Sequence, residues 1–457
     1  MTSETKSPED NMEIEELLDE ELSRTEKLTA EDVAAELGVT DKGLVRQSIQ
    51  NAVTVLLKDP LLAGRIRRNE LTDKTEIIGD VGWKRRGSAI TDTDVNQIRL
   101  YLEKTYGLTR EKQIRAAIDI VSSENSFHPI RDYLNSLKWD GRERIRYLLP
   151  RYLGAEESPY VYEMTKLMML GAINRVFHPG CKFEILLCLV GGQGAGKSTL
   201  LRFLAIRDEW FTDDLRRLDD ENVYRKIQGH WFIEMAEMLA TNSAKSIELI
   251  KSFLSRTKET YKIPYETHPE DRPRQCIFLG SSNNVNFLPY DTTGNRRFAP
   301  IPICAEKAER HPLGDEKECR DYIIHCWAEA MEIYRSGDYC LTFPKELDND
   351  VRKMQTDYMP DDSTFGVIQN YLDTFNGEYV CAIQIYEEAF KLTYDPQKRS
   401  VLQPINNVMN QGMPGWDSKA VTHKFKEYGA QRAWHRKKDD DNGGFYPVSK
   451  DEDVPFH

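Results

Sequence analysis

Residues 183–199 read FEILLCLVGGQGAGKST, and the fold follows from this stretch. Phe183–Val190 is an apolar run of strand length, interrupted only by Glu184, without the alternation of a half-exposed strand. A parallel strand covered on both faces reads this way. It runs into Gly191-Gly192-Gln193-Gly194-Ala195-Gly196-Lys197-Ser198, the spacing G-x-x-x-x-G-K-[ST]. Glycines let the backbone turn tightly and aim its N–H groups at phosphate oxygens, where a side chain would block the approach. Lys197 adds a point charge and Ser198 a hydroxyl that can ligate Mg²⁺. The following STLLRFLA, with Thr199 in its first turn, reads as a helix whose N-terminal partial charge favours anions. The expected ligands are ATP and Mg²⁺, held by Gly191–Thr199. The bland alternative, a glycine-rich turn with a chance lysine, leaves the strand before and the helix after unexplained.

Working outward, apolar runs at HWFIEM, RQCIFLGSS and RRFAPIPI alternate with helical stretches such as SAKSIELIKSFLSR, which indicates a parallel α/β sheet. Trp231-Phe232-Ile233 leads to Glu234 and Glu237. Hydrolysis of a triphosphate needs one carboxylate near Mg²⁺ and another to orient the attacking water. Glu234 is the candidate for the first role and Glu237 for the second, and the two assignments can be exchanged. Cys276–Ser282 is an apolar strand ending in Asn283, a neutral polar group able to hold the water or the γ-phosphate; asparagine is also common in any turn after a strand. Asp291–Phe298 places Arg296 and Arg297 on a turn. Arginine stabilises charge spread over a transferring phosphoryl group, and one of the pair is a candidate finger for a neighbouring subunit's site. A surface ion pair is the alternative.

The chain of 457 residues exceeds one ordinary domain. Residues 1–25 read as an acidic solvated tail, 26–140 as a mainly helical accessory domain containing a small hairpin, 141–345 as the α/β core with a helical lead-in, and 346–457 as a small winged-helix-like domain. Twelve acids against three bases in residues 1–32 account for most of the net charge of −13, so the whole-chain charge is a poor guide to partners. The eight cysteines form no CxxC pair, which argues against a zinc cluster or a disulfide framework. No run approaches the ~20 apolar residues of a membrane span. The start MTSETKSPED lacks the pattern of a secretory signal, so residence in the cytoplasm of a bacterial host is expected.

The ordered series GGQGAGKST, WFIEMAEM, IKSFLSRTKETYKIPY, RQCIFLGSSNN, FLPYDTTGNRRFAPI and HCWAEAMEIY resembles the virulence-associated E family, phage- and mobile-element ATPases similar to the helicase half of primase–helicases. The likeness extends upstream through NAVTVLLKDPLLAGRIRRNEL and SFHPIRDYLNSLKWDG, covering about residues 48–345. It implies an AAA+-related P-loop core, a hexameric ring, action in replication of mobile DNA, Walker-B roles for Glu234 and Glu237, a sensor role for Asn283 and a finger role for Arg296 or Arg297. No cysteine cluster of the primase type and no room for a polymerase domain are present, so priming activity is not expected and a separate primase or host replisome protein would supply it.

A DNA motor must grip phosphates with residues that move on hydrolysis. Lys258, Lys262, His268, Arg272 and Arg274, interspersed with Tyr261, form one candidate loop or hairpin for single-stranded DNA. Lys424, Lys426, Arg432 and Arg436, interleaved with aromatics, form a second candidate, for single strands or duplex at an origin. For both, a solvated charged surface is the bland alternative. Two further readings compete with the motor: a non-motor AAA+ switch acting on protein partners, and a small-molecule kinase. The kinase leaves Asn283 and the arginine turn unexplained.

Overall fold

In the computed structural model the described residues are 28–215, 218, 223–235, 244–261, 270–283, 288, 297–358 and 362–437. Two compact units emerge, one comprising residues 1–238, 253–283 and 297–352, the other 239–252, 284–296 and 353–457. Among the described residues, no helix is long and apolar enough to cross a membrane.

The first unit begins with α1 (Ala30–Ala35), α2 (Ile49–Lys58), β1 (Ile66–Asn69), β2 (Lys74–Ile77), α3 (Asp92–Tyr106), α4 (Glu111–Glu124) and β3 (Ser126–Phe127). The expected hairpin is present as the antiparallel β1–β2 pair, and β3 adds to β1 in parallel. These elements close over their own core, with Val55, Ile66, Ile98, Leu102, Ile118 and Val121 inside. Asp94 organises the entry to α3. It completes a capping box with Thr91, and its other oxygen accepts from Trp83 Nε1 and Arg85 Nε at 2.9 and 3.0 Å. Burial alone would raise its pKa, but the hydrogen bonds outweigh that and hold it at about 2. These N-terminal elements and the residues that follow them up to 238 belong to one unit.

Next come α5 (Pro129–Ser136), α6 (Ile145–Leu153), α7 (Pro159–Phe177), β4 (Leu186–Val190), α8 (Lys197–Leu204), β5 (Phe211–Thr212), α9 (Val223–Ile227), β6 (Phe232–Glu234), α10 (Ala244–Ser255), β7 (Lys258–Tyr261), β8 (Glu270–Pro273), β9 (Ile277–Ser282), β10 (Phe298–Pro302) and α11 (Glu316–Ser336). Five strands form a wholly parallel sheet in the order β10-β4-β9-β6-β5. β4 is buried along its length, as its unbroken apolar run requires. Pro300 and Pro302 confine β10 to an edge, because proline has no N–H for a second neighbour. Behind the sheet, Trp231 and Trp327 lie 4.5 Å apart, and their indole N–H groups donate to Ala172 O and Leu204 O.

The chain leaves β4 toward β5 on one side, then returns to place β9 and finally β10 on either flank of β4. Such a reversal opens a crevice at the carboxyl ends of the strands, where open α/β sheets bind ligands. The Gly191–Ser198 loop starts at that end of β4.

The second unit includes α13 (Asp362–Thr374), β11 (Tyr379–Cys381), α14 (Ala382–Glu388), α15 (Gln403–Gln411), β12 (Val421–Phe425) and β13 (Gly429–His435), preceded in the chain by α12 (Asp348–Asp357). Its antiparallel sheet has the order β11-β13-β12, and Ile368, Leu372, Ile385, Ile405, Trp416 and Trp434 fill its core.

Candidate functional site

Three glycines in the loop are dictated by the backbone. Gly194 and Gly196 have φ of +80° and +83°, in the left-handed region that glycine enters freely. A Cβ on Gly191 would fall 2.6 Å from Ile303 O, and one on Gly196 would fall 2.9 Å from Pro312. Gly192 has open space where a Cβ would go, so its role is not steric. Gly192, Gln193, Gly194 and Ser198 are exposed, whereas Ala195 is buried. Gly196 is the N-cap of α8 with no side-chain cap, and Thr199 lies in the helix's first turn. The opening N–H groups of α8 therefore lack a capping side chain.

Lys197 is only 8 % exposed. Its ammonium donates to Gly191 O at 2.6 Å, Gly192 O at 2.8 Å and Asn283 Oδ1 at 2.8 Å. Desolvation lowers its pKa, and the nearby Glu234 carboxylate opposes that. Ser198 Oγ donates to Glu234 Oε1 at 2.7 Å, and Ser281 Oγ donates to the same oxygen at 2.5 Å. Glu234 ends β6 and is buried. This convergence follows from the strand order. Because β9 lies between β4 and β6, its carboxyl end brings Ser281 and Asn283 between the loop and Glu234. Ser281 is a residue that sequence reasoning missed. Its signal was parity: Ser281 and Asn283 are two apart and share one face of the strand. A buried carboxylate, two hydroxyls, an ammonium and an amide oxygen thus meet beside an open loop of main-chain donors. Such a set can hold an anion together with a hard cation.

Arg297 stands apart. It immediately precedes β10, whose Phe298 is in register with Leu186 at the start of β4. It is therefore at the amino edge of the sheet, a strand's length of roughly 16 Å from the loop. Its Nε donates to Ser255 Oγ at 3.1 Å and to Glu184 Oε2 at 3.3 Å. Glu237 and Arg296 lie outside the described residues.

β7 and β8 pair as an antiparallel hairpin, in the region expected to contact DNA. Lys258 is exposed and pairs with Asp271. The Tyr261 side chain, Lys262 and His268 lie outside the described residues. Two arginines expected to contact DNA are used internally instead. Arg274 is buried, paired with Glu259 and bonded to Phe253 O, with its guanidinium 4.3 Å from the Phe253 ring centre. Arg272 pairs with Asp73 of the N-terminal region. In the second unit Arg436 is likewise structural: its guanidinium donates to Leu372 O, Phe375 O and Gly377 O and lies over Trp416. Such an arginine satisfies carbonyls that would otherwise be left unpaired. Lys424, Lys426 and Arg432 are exposed.

The fold and the loop define a mixed α/β protein with a glycine-rich turn at the switch point of a parallel sheet. Residues 134–360 match the virulence-associated protein E-like domain, so the chain carries a domain of that family. No curated protein matches. Among solved structures, the A form apo structure of the NrS-1 C-terminal region is similar, with 13% identity, a TM-score of 0.39 and coverage of 81% of this chain and 96% of that one. A second apo structure of the NrS-1 C-terminal region has 13% identity, the same coverage and a TM-score of 0.38.

Proposed function

We propose that the chain is an ATP-hydrolysing motor of DNA replication from a phage or other mobile element, built on an AAA+-like P-loop core and acting on single-stranded DNA as a hexameric ring. The observation that carries this reading is the meeting of Lys197, Ser198, Glu234 and Asn283 around one glycine-rich turn. On this reading the β- and γ-phosphates lie on the N–H groups of Gly191–Thr199, and Lys197 exchanges its contacts with Gly191 O and Gly192 O for phosphate oxygens. Ser198 and Glu234 fit a Mg²⁺ site, since this ion takes few protein ligands and completes its shell with phosphate and water. When bound, it neutralises charge that develops on the phosphates. Asn283, whose Oδ1 accepts from the lysine at 2.8 Å, reads the γ-phosphate on this reading. Glu237 remains the candidate for orienting water.

Arg297 is too far from its own loop to touch the same nucleotide, which supports a role across a subunit interface. The β7–β8 hairpin, with Lys258 exposed at the start of β7, is the proposed single-strand contact. Priming is assigned to another protein.

Measuring ATP turnover with and without single-stranded DNA tests this reading. The wild type is expected to hydrolyse ATP faster on DNA, and Lys197→Ala to lose turnover altogether. Turnover indifferent to DNA would favour the non-motor switch. Normal turnover by Lys197→Ala would remove the site.

A further inference from the structure

The second unit runs helix, strand, helix, helix, strand, strand: α13, β11, α14, α15, β12, β13. Its first strand pairs with the last, giving the order β11-β13-β12. This is the winged-helix arrangement, in which a third helix lies beside a hairpin wing. Helix α15 buries Ile405, Val408 and Met409 in the core. Gln403, Asn406 and Asn407, at i, i+3 and i+4, share its other face. Asparagine is a poor helix former, yet this nine-residue helix, QPINNVMNQ, carries three of them. One has a structural use, since Asn410 Oδ1 accepts from Trp434 Nε1 at 3.1 Å. Gln403 and Asn407 touch only weakly, at 3.3 Å. Asparagine and glutamine amides match the donor–acceptor pair on the major-groove edge of adenine.

The wing has two unlike faces. Because side chains alternate along a strand, Thr422 and Lys424 point one way, together with their register partners Arg432 and Ala430. The opposite face carries His423, stacked on Tyr379, and Phe425, edge-on to His423. The packed face leaves Lys424 and Arg432 exposed. Leading into α15, Lys398 and Arg399 are exposed as well, and no carboxylate occurs between Asp395 and Asp417 in a chain of net charge −13.

We propose that residues 362–437 read duplex DNA, with the amide face of α15 against base edges in the major groove and the Lys424–Arg432 face of the β12–β13 wing against flanking phosphates. This stands on the second unit alone and does not depend on the nucleotide site. A helix that offers its first turns to bases while a neighbouring element grips the backbone is the usual docking of helix-turn-helix readers.

The test uses the full chain and fluorescently labelled duplexes of about 30 base pairs, roughly three helical turns, with single strands of the same length and RNA duplex as competitors. A random-sequence duplex library selected on the wild type should enrich an adenine-containing motif. Lys424→Ala with Arg432→Ala should weaken binding to all duplexes and reduce the slope of log K against log salt by about 2. Gln403→Ala with Asn407→Ala should abolish the enrichment and leave that slope unchanged. All these positions are at least partly exposed, so the thermal midpoint should hold, and DNA-free ATP turnover reports separately on the nucleotide site. Three results would overturn the proposal: an unchanged salt slope in the wing variant, tighter binding to single strands or RNA than to duplex, or enrichment that survives loss of the two amides.

Discussion

Lys197 shows how one side chain can be held ready by its surroundings. The folded protein lowers its pKa because burial penalises the ammonium, so between the folded and unfolded values the unfolded chain binds more protons. Stability then rises with pH through that window, and below it the charged lysine costs stability. Lys197→Met should therefore raise the melting temperature of the nucleotide-free protein at neutral pH. The same variant should lose the stabilisation of about 2.7 kcal/mol that a ligand at about 100 times its Kd confers. Thermal melts with and without ATP check both halves, and a nucleotide-induced shift that survives in Lys197→Met would count against the phosphate role. Glu234 supports a second prediction. Glu234→Gln keeps an oxygen for Ser198 and Ser281 but removes the charge, so ATP should still bind in EDTA while the Mg²⁺ requirement rises at least about 10-fold. A magnesium titration of turnover decides it.

At the scale of elements, the strands buried on both faces and the loop between β4 and α8 were legible because each depends on a local pattern: an unbroken apolar run, or glycines at fixed spacing. β5 was not foreseen, since two residues at a sheet edge, Phe211 and Thr212, carry too little pattern to register. The arginines were misread for a different reason. Charge belongs to the sequence, but burial belongs to the fold, and nothing local tells that Arg274 would be enclosed by Glu259 and Phe253 while Lys258 stays outside. Ser281 needed the strand order, which places β9 between the loop and Glu234. Element-level tests follow. Gly196→Ala meets both a left-handed backbone and Pro312, so it should cost about 1 kcal/mol or more and weaken nucleotide binding, as denaturant titration and ligand-induced melts would show. Asp94, held at about 2, contributes stability present above its unfolded pKa of about 3.9 and lost as pH falls through the folded value. Asp94→Asn should therefore destabilise at pH 7 by roughly 1–2 kcal/mol. It should also flatten the loss of stability that the wild type shows between about pH 4 and pH 2. A variant with the wild-type acid profile would assign that loss to other carboxylates.

At the scale of the whole molecule, the position of Arg297 bears on assembly. The parallel register of β10 with β4 sets it at the opposite edge of the sheet from the phosphate loop, so no side-chain rotation carries it to its own site. It either completes a neighbour's site or only anchors Glu184 and Ser255. Two variants separate these roles. Glu184→Gln removes the anchor's charge and leaves the guanidinium, so it should lower the melting temperature slightly and preserve ATP turnover. Arg297→Ala should bind ATP normally and lose turnover by roughly 10³-fold or more, the size of an arginine-finger effect. Mixed with Lys197→Ala subunits, Arg297→Ala subunits should regain activity, because an intact phosphate loop in one then meets an intact arginine in the other. The recovered rate should peak at an intermediate mixing ratio and scale with subunit concentration, as an interface site demands. Should Glu184→Gln be as inactive as Arg297→Ala, and no ratio restore turnover, Arg297 would be an anchor within its own subunit, and the catalytic arginine would have to lie elsewhere.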